Sequence, residues 1–217
     1  IAHDLRSPIG SFLGMTQYMV EELSRISAEE FTKMVTSMWK SANSIFNLLN
    51  NLLEWSKLQQ GQIPFNPVQQ ELKPLVDESL EIMFEMAKNK KIVLENIISD
   101  DINVDVDVHM FQSIIRNLTS NALKFCNQGG KITLSAELAP KDFVTISVID
   151  TGIGMSSEII NKLFDLKENT NRIGTAGEPS SGLGLTLCKE FIEKNGGVLS
   201  IESAVGIGST FSFTVPV

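Results

Sequence analysis

His3 opens the stretch HDLRSPIG, with Asp4 beside it and Ser7 one helical turn further on. An imidazole at its ordinary pKa of about 6.5 is mostly neutral at pH 7, so one ring nitrogen keeps its lone pair while a carboxylate can hold the other N–H; that is a nucleophile. A lone surface histidine near a chain end is ordinarily incidental. Here the adjacent carboxylate, the hydroxyl and Pro8, which removes a helical hydrogen bond and frees a carbonyl near His3, set it apart. Further along, Asn117, Asn121 and Lys124 fall four and three residues apart, on one ridge of a helix. Amide oxygens are hard ligands of the kind Mg2+ takes, and an ammonium nearby suits a phosphate. Taken alone, such a ridge is equally a solvated helix face. Asp150 ends an alternating run, Val144, Ile146 and Val148, and is followed by Gly152 and Gly154. A strand-end carboxylate can accept a hydrogen bond from an adenine amino group, and the glycines let the chain turn and approach a ligand closely. Gly182 and Gly184 precede a helix whose first N–H groups can bind phosphate. Either glycine pair alone would pass for ordinary turn glycine.

These residues need elements to hold them. Leu5, Ile9, Phe12, Thr16, Met19, Leu23 and Ile26 alternate spacings of four and three, the seam of a helix packed in a bundle. On that register His3, Asp4 and Ser7 take outward positions. Ser27 and Glu30 predict a capping box that starts a second helix. Its stripe runs through Phe31, Met34, Met38, Ile45, Leu48, Leu52 and Trp55, widened by Val35, Ala42 and Leu49, until Gly61 and Pro64 stop it. Two helices cannot bury stripes this wide, so the hairpin over 1–60 is expected to pair with a second copy as a homodimeric four-helix bundle. Residues 61–67 form a Gly/Pro-rich linker and a hinge. The pattern then changes: 72–88 reads as a helix, 92–97 and 104–108 as short strands, and 110–126 as a helix with Phe111, Ile114, Ile115, Leu118, Ala122 and Phe125 on its apolar side. The segment 156–180, rich in Gly, Asn, Thr, Ser and Pro in its latter half, has the composition of a mobile lid.

An apolar fraction of 42% against 20% charged residues predicts two packed units in 217 residues rather than disorder. The net charge of −8 argues against a nucleic-acid or anionic-membrane surface, which needs clustered Lys and Arg. Cys126 and Cys188 lack CxxC spacing and read as reduced thiols of a cytoplasmic fold. No apolar run approaches 18 residues, so no membrane contact is expected within this fragment, whose shorter first helix reads as cut from a longer chain.

There is no P-loop, no Rossmann GxGxxG and no eukaryotic-type protein-kinase signature set. What remains is an ordered series: HDLRSP, NLTSNALKF, DTGIG, LFDL and GLGL. That series resembles the sensor histidine kinases of two-component signalling, across essentially the whole chain. The resemblance implies a dimerisation and phosphotransfer hairpin followed, over 68–217, by an α/β sandwich ATP-binding domain of the GHKL (Bergerat) type. It makes His3 the phosphoacceptor and Asp4 its acidic neighbour, which orients the ring and takes its proton. Asn117, Asn121 and Lys124 become the N box, with Asn121 the Mg2+ ligand. Asp150, Gly152 and Gly154 match the adenine-reading box, Phe164 the F box, and Gly182, Gly184 and Leu185 the phosphate-side box. Thr210 matches a threonine that supports the adenine-binding aspartate. The cofactors implied are ATP and Mg2+, and the partner is a response-regulator receiver domain. Ser7 stands where the commonest subfamily has threonine or asparagine, which implies weak phosphatase activity toward the phospho-regulator. "LFDLKEN" lacks the second phenylalanine of the usual box, and "SSGLGL" replaces GTGLGL. The rival readings are a GHKL-fold ATPase clamp, which has no use for His3, and a non-catalytic nucleotide-binding dimerisation scaffold.

Overall fold

The computed structural model describes residues 2–22, 25–164, 173–178 and 183–217, the side chains of residues 2–4 and 7 excepted. Two compact units divide the chain, 1–62 and 63–217.

The first unit is a helical hairpin of α1 (Ala2–Glu22) and α2 (Ala28–Gln59). Helix α1 runs through Pro8, which has no N–H to give the Asp4 carbonyl one turn back. The capping box that starts α2 is complete. The Ser27 hydroxyl accepts the Glu30 N–H, and the Glu30 carboxylate accepts the Ser27 N–H at 3.0 Å. At the other end Gly61 takes φ +65°, where a side chain would be strained. The two helices pack on one another, and Leu48 is the fully buried member of the predicted α2 seam, whereas Phe31 at its start is 41% exposed. A second seam stays exposed. Val35, Trp39, Ala42, Phe46, Leu49 and Leu53 again alternate spacings of four and three, and Phe46 and Leu53 are 61% and 58% exposed.

The second unit is a two-layer α/β sandwich. Strands β2 (Val93–Asn96), β4 (Lys131–Ala139), β5 (Phe143–Asp150), β6 (Leu199–Ala204) and β7 (Gly208–Pro216) form one sheet, and β1 (Val68–Glu71) pairs with β3 (Asn103–Val106) in a two-stranded one. The large sheet has the order β2-β4-β5-β7-β6, with β2 parallel to β4 and every other pair antiparallel. Helices α3 (Leu72–Lys90), α4 (Val108–Phe125) and α6 (Leu183–Lys194) pack side by side against the sheet, α3 at its β2 edge. Short α5 (Ser157–Lys162) lies near β6. Alternation sorts the sheet's two faces. Val144, Ile146, Val148, Phe211, Phe213 and Val215 point into the core, where the Phe111 and Phe213 rings meet at 6.0 Å. Thr145, Ser147, Thr210, Ser212 and Thr214 take the other face, where the Ser147 and Ser212 hydroxyls bond at 2.8 Å. The β4–β5 connection carries Lys141 and Asp142 at φ +65° and +59°, consecutive left-handed residues without glycine. Among the described residues no helix is long and apolar enough to cross a membrane.

The predicted helices and short strands of this unit exist with ends displaced by a few residues. The strands at 131–139 and 199–216 were not evident from the sequence. Part of the predicted linker is fastened down within the second unit: Lys194 Nζ donates to the Ile63 carbonyl, and the Asn66 N–H donates to Asp107 Oδ2 at 3.1 Å.

Candidate functional site

Helix α4 carries the polar ridge and is clamped at both ends. At its start Asp107 is the N-cap, its Oδ1 accepting the Met110 N–H at 3.1 Å while its own N–H donates to Asn195 Oδ1 at 3.0 Å. That ties the start of α4 to the end of α6. The last carbonyls of a helix lack helical donors, and here they are met one by one. Ala122 O accepts the Cys126 N–H, and Leu123 O and Lys124 O accept Lys90 Nζ at 2.7 and 3.0 Å. Lys124 O also accepts the Thr175 N–H, and Phe125 O accepts the Ile153 N–H at 3.1 Å.

On the ridge, Asn117 donates from Nδ2 to the Ser113 carbonyl at 2.9 Å. Its Oδ1 lies against the first turn of α6, where a Cβ on Gly184 would stand 2.8 Å from it. Asn121 is half-buried, and among the described residues no hydrogen bond engages its side-chain amide. An amide oxygen with open valence fits a hard cation. Burial pushes the Lys124 ammonium down from 10.5 to about 8; nearby Glu178 opposes the shift and Lys90 adds to it.

Asp150 ends β5 and is 6% exposed. Its Oδ1 accepts the Gly152 N–H at 2.8 Å. Burial raises its pKa above the usual carboxylate value, against the opposing backbone hydrogen bonds from Gly152 and Ser209. Glycine is required after it for a reason the sequence did not show. A Cβ on Gly152 would stand 2.4 Å from Phe125 O, and one on Gly154, at φ +61°, would stand 1.9 Å from Ala204 O. The turn is thus wedged between the end of α4 and the β6–β7 hairpin, whose Gly206 N–H bonds to Ile153 O.

The expectation for Thr210 is corrected. The register of β5 with β7 sets Thr210 across from Ile149 and Ser209 across from Asp150. A shift of one residue along a strand exchanges faces, so Thr210 shares the outer face with Ser147 and Ser212, while buried Ser209 shares the face of Asp150. Ser203 holds Ser209 in place. Its hydroxyl is 2.9 Å from that of Ser209, bonds to Gly208 O, and accepts the Met155 N–H. The alternation of Phe211, Phe213 and Val215 was the available signal, since counting back in twos reaches Ser209.

Phe164 follows α5, half-buried, with Lys189 Nζ of α6 5.3 Å from its ring centre. Gly184 lies inside the first turn of α6 rather than before it, and Leu185 is a buried core residue of that helix. Gly182 and residues 165–172 and 179–180 of the expected lid lie outside the described residues, as do the side chains of His3, Asp4 and Ser7; the backbone of the last three belongs to α1. The second unit therefore brings Asn117, Asn121, Lys124, Asp150, Gly152, Gly154 and Gly184 around α4. Lys90, Glu178, Asp107 and Ser209 join them without having been anticipated. Both cysteines are buried and free.

Residues 1–61 match the family described as the His Kinase A (phospho-acceptor) domain, and residues 106–217 match the Histidine kinase-, DNA gyrase B-, and HSP90-like ATPase family. The sensor protein EvgS of Escherichia coli is 32% identical over the whole chain, which spans only 18% of that protein's length. Among solved structures, the histidine kinase AdeS of Acinetobacter baumannii superposes with a TM-score of 0.78 at 20% identity, over 100% of this chain and 98% of its own. Histidine kinase ThkA, solved in complex with the response regulator protein TrrA, gives 0.76 at 21% identity, over 99% of this chain and 59% of its own. At these identities the structural likeness is one of fold.

Proposed function

The chain belongs to the histidine kinase-, DNA gyrase B- and HSP90-like ATPase family, with a His Kinase A phospho-acceptor domain ahead of its ATPase domain, and on that basis we propose that it is the catalytic core of a sensor histidine kinase. It transfers the γ-phosphoryl group of ATP to His3 and then to an aspartate of a response-regulator receiver domain, the kind of partner that ThkA has. The observation that carries the reading is Asp150, a buried strand-end carboxylate held by backbone N–H groups of the Gly152 turn and of Ser209, beside a helix that presents Asn121 and Lys124.

Mg-ATP supplies the transferable phosphoryl group and a divalent charge. Asp150 accepts a hydrogen bond from the adenine amino group, and Ser209 steadies that carboxylate. Asn121 gives an amide oxygen to the cation, with Asn117 beside it, and Lys124 neutralises phosphate charge. The start of α6, which carries Gly184, supplies backbone N–H groups and the positive end of a helix dipole to the phosphates. A phosphoryl group in flight needs positioning and charge neutralisation more than covalent help. His3 attacks phosphorus with its ring lone pair, the bond to the ADP oxygen breaks, and Asp4 takes the ring proton. Gly61 and Gln62 serve as the hinge, since Ile63 and Asn66 are bonded within the ATPase unit. The exposed second seam of α2 buries itself in a second copy, giving a dimeric four-helix bundle. A domain with an acceptor histidine disfavours an ATPase clamp.

Labelling from γ-labelled ATP tests this. The parent acquires acid-labile, base-stable label, whereas His3→Gln acquires none and keeps nucleotide affinity within a few-fold. Stable label on the variant would move the acceptor to another residue.

A further inference from the structure

Lys90 is 18% exposed at its side chain and makes three bonds: to Leu123 O, to Lys124 O, and to Glu178 Oε1 at 2.9 Å. It thus caps the negative end of α4 and ion-pairs with a residue 88 positions away. Glu178 belongs to the stretch 173–178, which is stapled to the same helix end. The Thr175 N–H and hydroxyl both bond to Lys124 O, and the hydroxyl also reaches Cys126 O at 2.9 Å. Glu178 folds the stretch on itself: Oε2 accepts the Ala176 N–H at 2.9 Å, and its carbonyl accepts the Gly174 N–H. Gly174 then lies on the stem of Lys124, so closely that a Cβ there would stand 2.6 Å from Lys124 Cγ.

We propose that the Lys90–Glu178 pair is a latch that presses residues 173–178 onto Lys124 and so positions its ammonium for the phosphates of the bound nucleotide. Neither residue touches the nucleotide; both are positioning residues, and the inference rests on the ATP-binding reading above. The geometry gives the latch its direction. Lys90 holds the helix end and the loop at once, leaving the Lys124 stem no room to fold toward Gly174. Burial alone would raise the Glu178 pKa, but hydrogen bonds from Lys90, from its own backbone and from Ala176 leave it below the usual carboxylate value. The latch therefore stays charged at neutral pH and is lost only as pH falls through that lowered value.

The experiment titrates parent, Glu178→Gln, Lys90→Met and Lys90→Arg with Mg-ATP and with adenosine, and follows hydrogen exchange at the amides of Thr175 and Ala176. Because Glu178 is partly exposed, the charge loss in Glu178→Gln is expected to weaken ATP by about three- to tenfold. Adenosine affinity stays unchanged, since that ligand has no phosphate for Lys124 to reach. Exchange at Thr175 and Ala176 quickens, KM for ATP rises more than kcat falls, and Lys90→Arg restores the parent pattern. Equal ATP binding by Glu178→Gln and parent overturns the latch, as does an equal loss for ATP and adenosine. A parent that binds neither ligand overturns the ATP reading instead.

Discussion

In the hairpin, Leu48 is the fully buried apolar side chain among the described residues, and Trp39, Phe46 and Leu53 face outward. In the ATPase unit, Phe111, Ile114, Leu118, Ile146, Phe191 and Phe213 are all at 0% exposure, and even the helix ends find donors within the unit. The second unit closes its own core; the first presents half of one. A hairpin of this kind acquires the rest of its core from outside, and the spacing of its exposed seam is that of another helix pair. With that seam covered by a second copy, as proposed, stability in the hairpin is tied to protein concentration, whereas in the ATPase unit it is tied to the chain alone.

The largest effect expected from breaking this contrast comes from charging the open seam. Phe46→Asp with Leu53→Asp should convert the protein to monomer in sedimentation experiments, with loss of cooperative hairpin melting and an unchanged transition for the ATPase unit. A dimer that survives both substitutions would place the contact elsewhere.

A smaller effect is expected inside the ATPase unit, at the end of β5. Asp150→Asn removes a charged hydrogen-bond acceptor worth about 1.5–3 kcal/mol, roughly tenfold to a hundredfold in ATP affinity. Calorimetry at fixed Mg2+ measures it, and unaltered affinity would remove Asp150 from the site. Ser209→Ala should cost a few-fold and Thr210→Ala nothing; the reverse order would mean that the outer face of β7, not the inner, supports the aspartate.

The smallest effect is a fraction of a proton. Lys124 has a folded pKa of about 8 against an ordinary 10.5, so below pH 8 both folded and unfolded chains carry its proton. Between pH 8 and 10.5 the unfolded chain holds a proton that the folded one has shed, and this group's contribution to stability rises with pH across that window. Phosphate arriving beside Lys124 restores its charge. ATP binding near pH 8 should accordingly take up protons, seen as a dependence of the calorimetric enthalpy on buffer ionisation, and Lys124→Met should abolish it.

Much of this contrast was legible in the residues. Helical periodicity and the Ser27–Glu30 box are local, so the hairpin and its start could be read directly, and the ridge on α4 follows from spacings of four and three. What escaped depends on partners distant in sequence. Lys90 and Glu178 sit in stretches with no pattern linking them. The identity of the residue behind Asp150 turns on strand register, which is a property of two strands and not of one. The glycines were legible as glycines, but the backbone atoms that exclude a side chain there come from α4 and from the β6–β7 hairpin.

The left-handed pair at Lys141 and Asp142 has a kinetic consequence. The chain between β4 and β5 reverses within a few residues, so that hairpin closes locally, on a timescale of about 1–10 μs. Pairing of β5 with β7 must instead wait until the whole stretch from Asp150 to Gly208 has been gathered in, at a far greater entropic cost of closure. At the end of β5 that carries Asp150, Ile132 of β4 is therefore expected to pair early and Ser209 of β7 late in folding. A ligand held there stabilises contacts that form after the barrier, so it slows unfolding while leaving the folding rate nearly untouched.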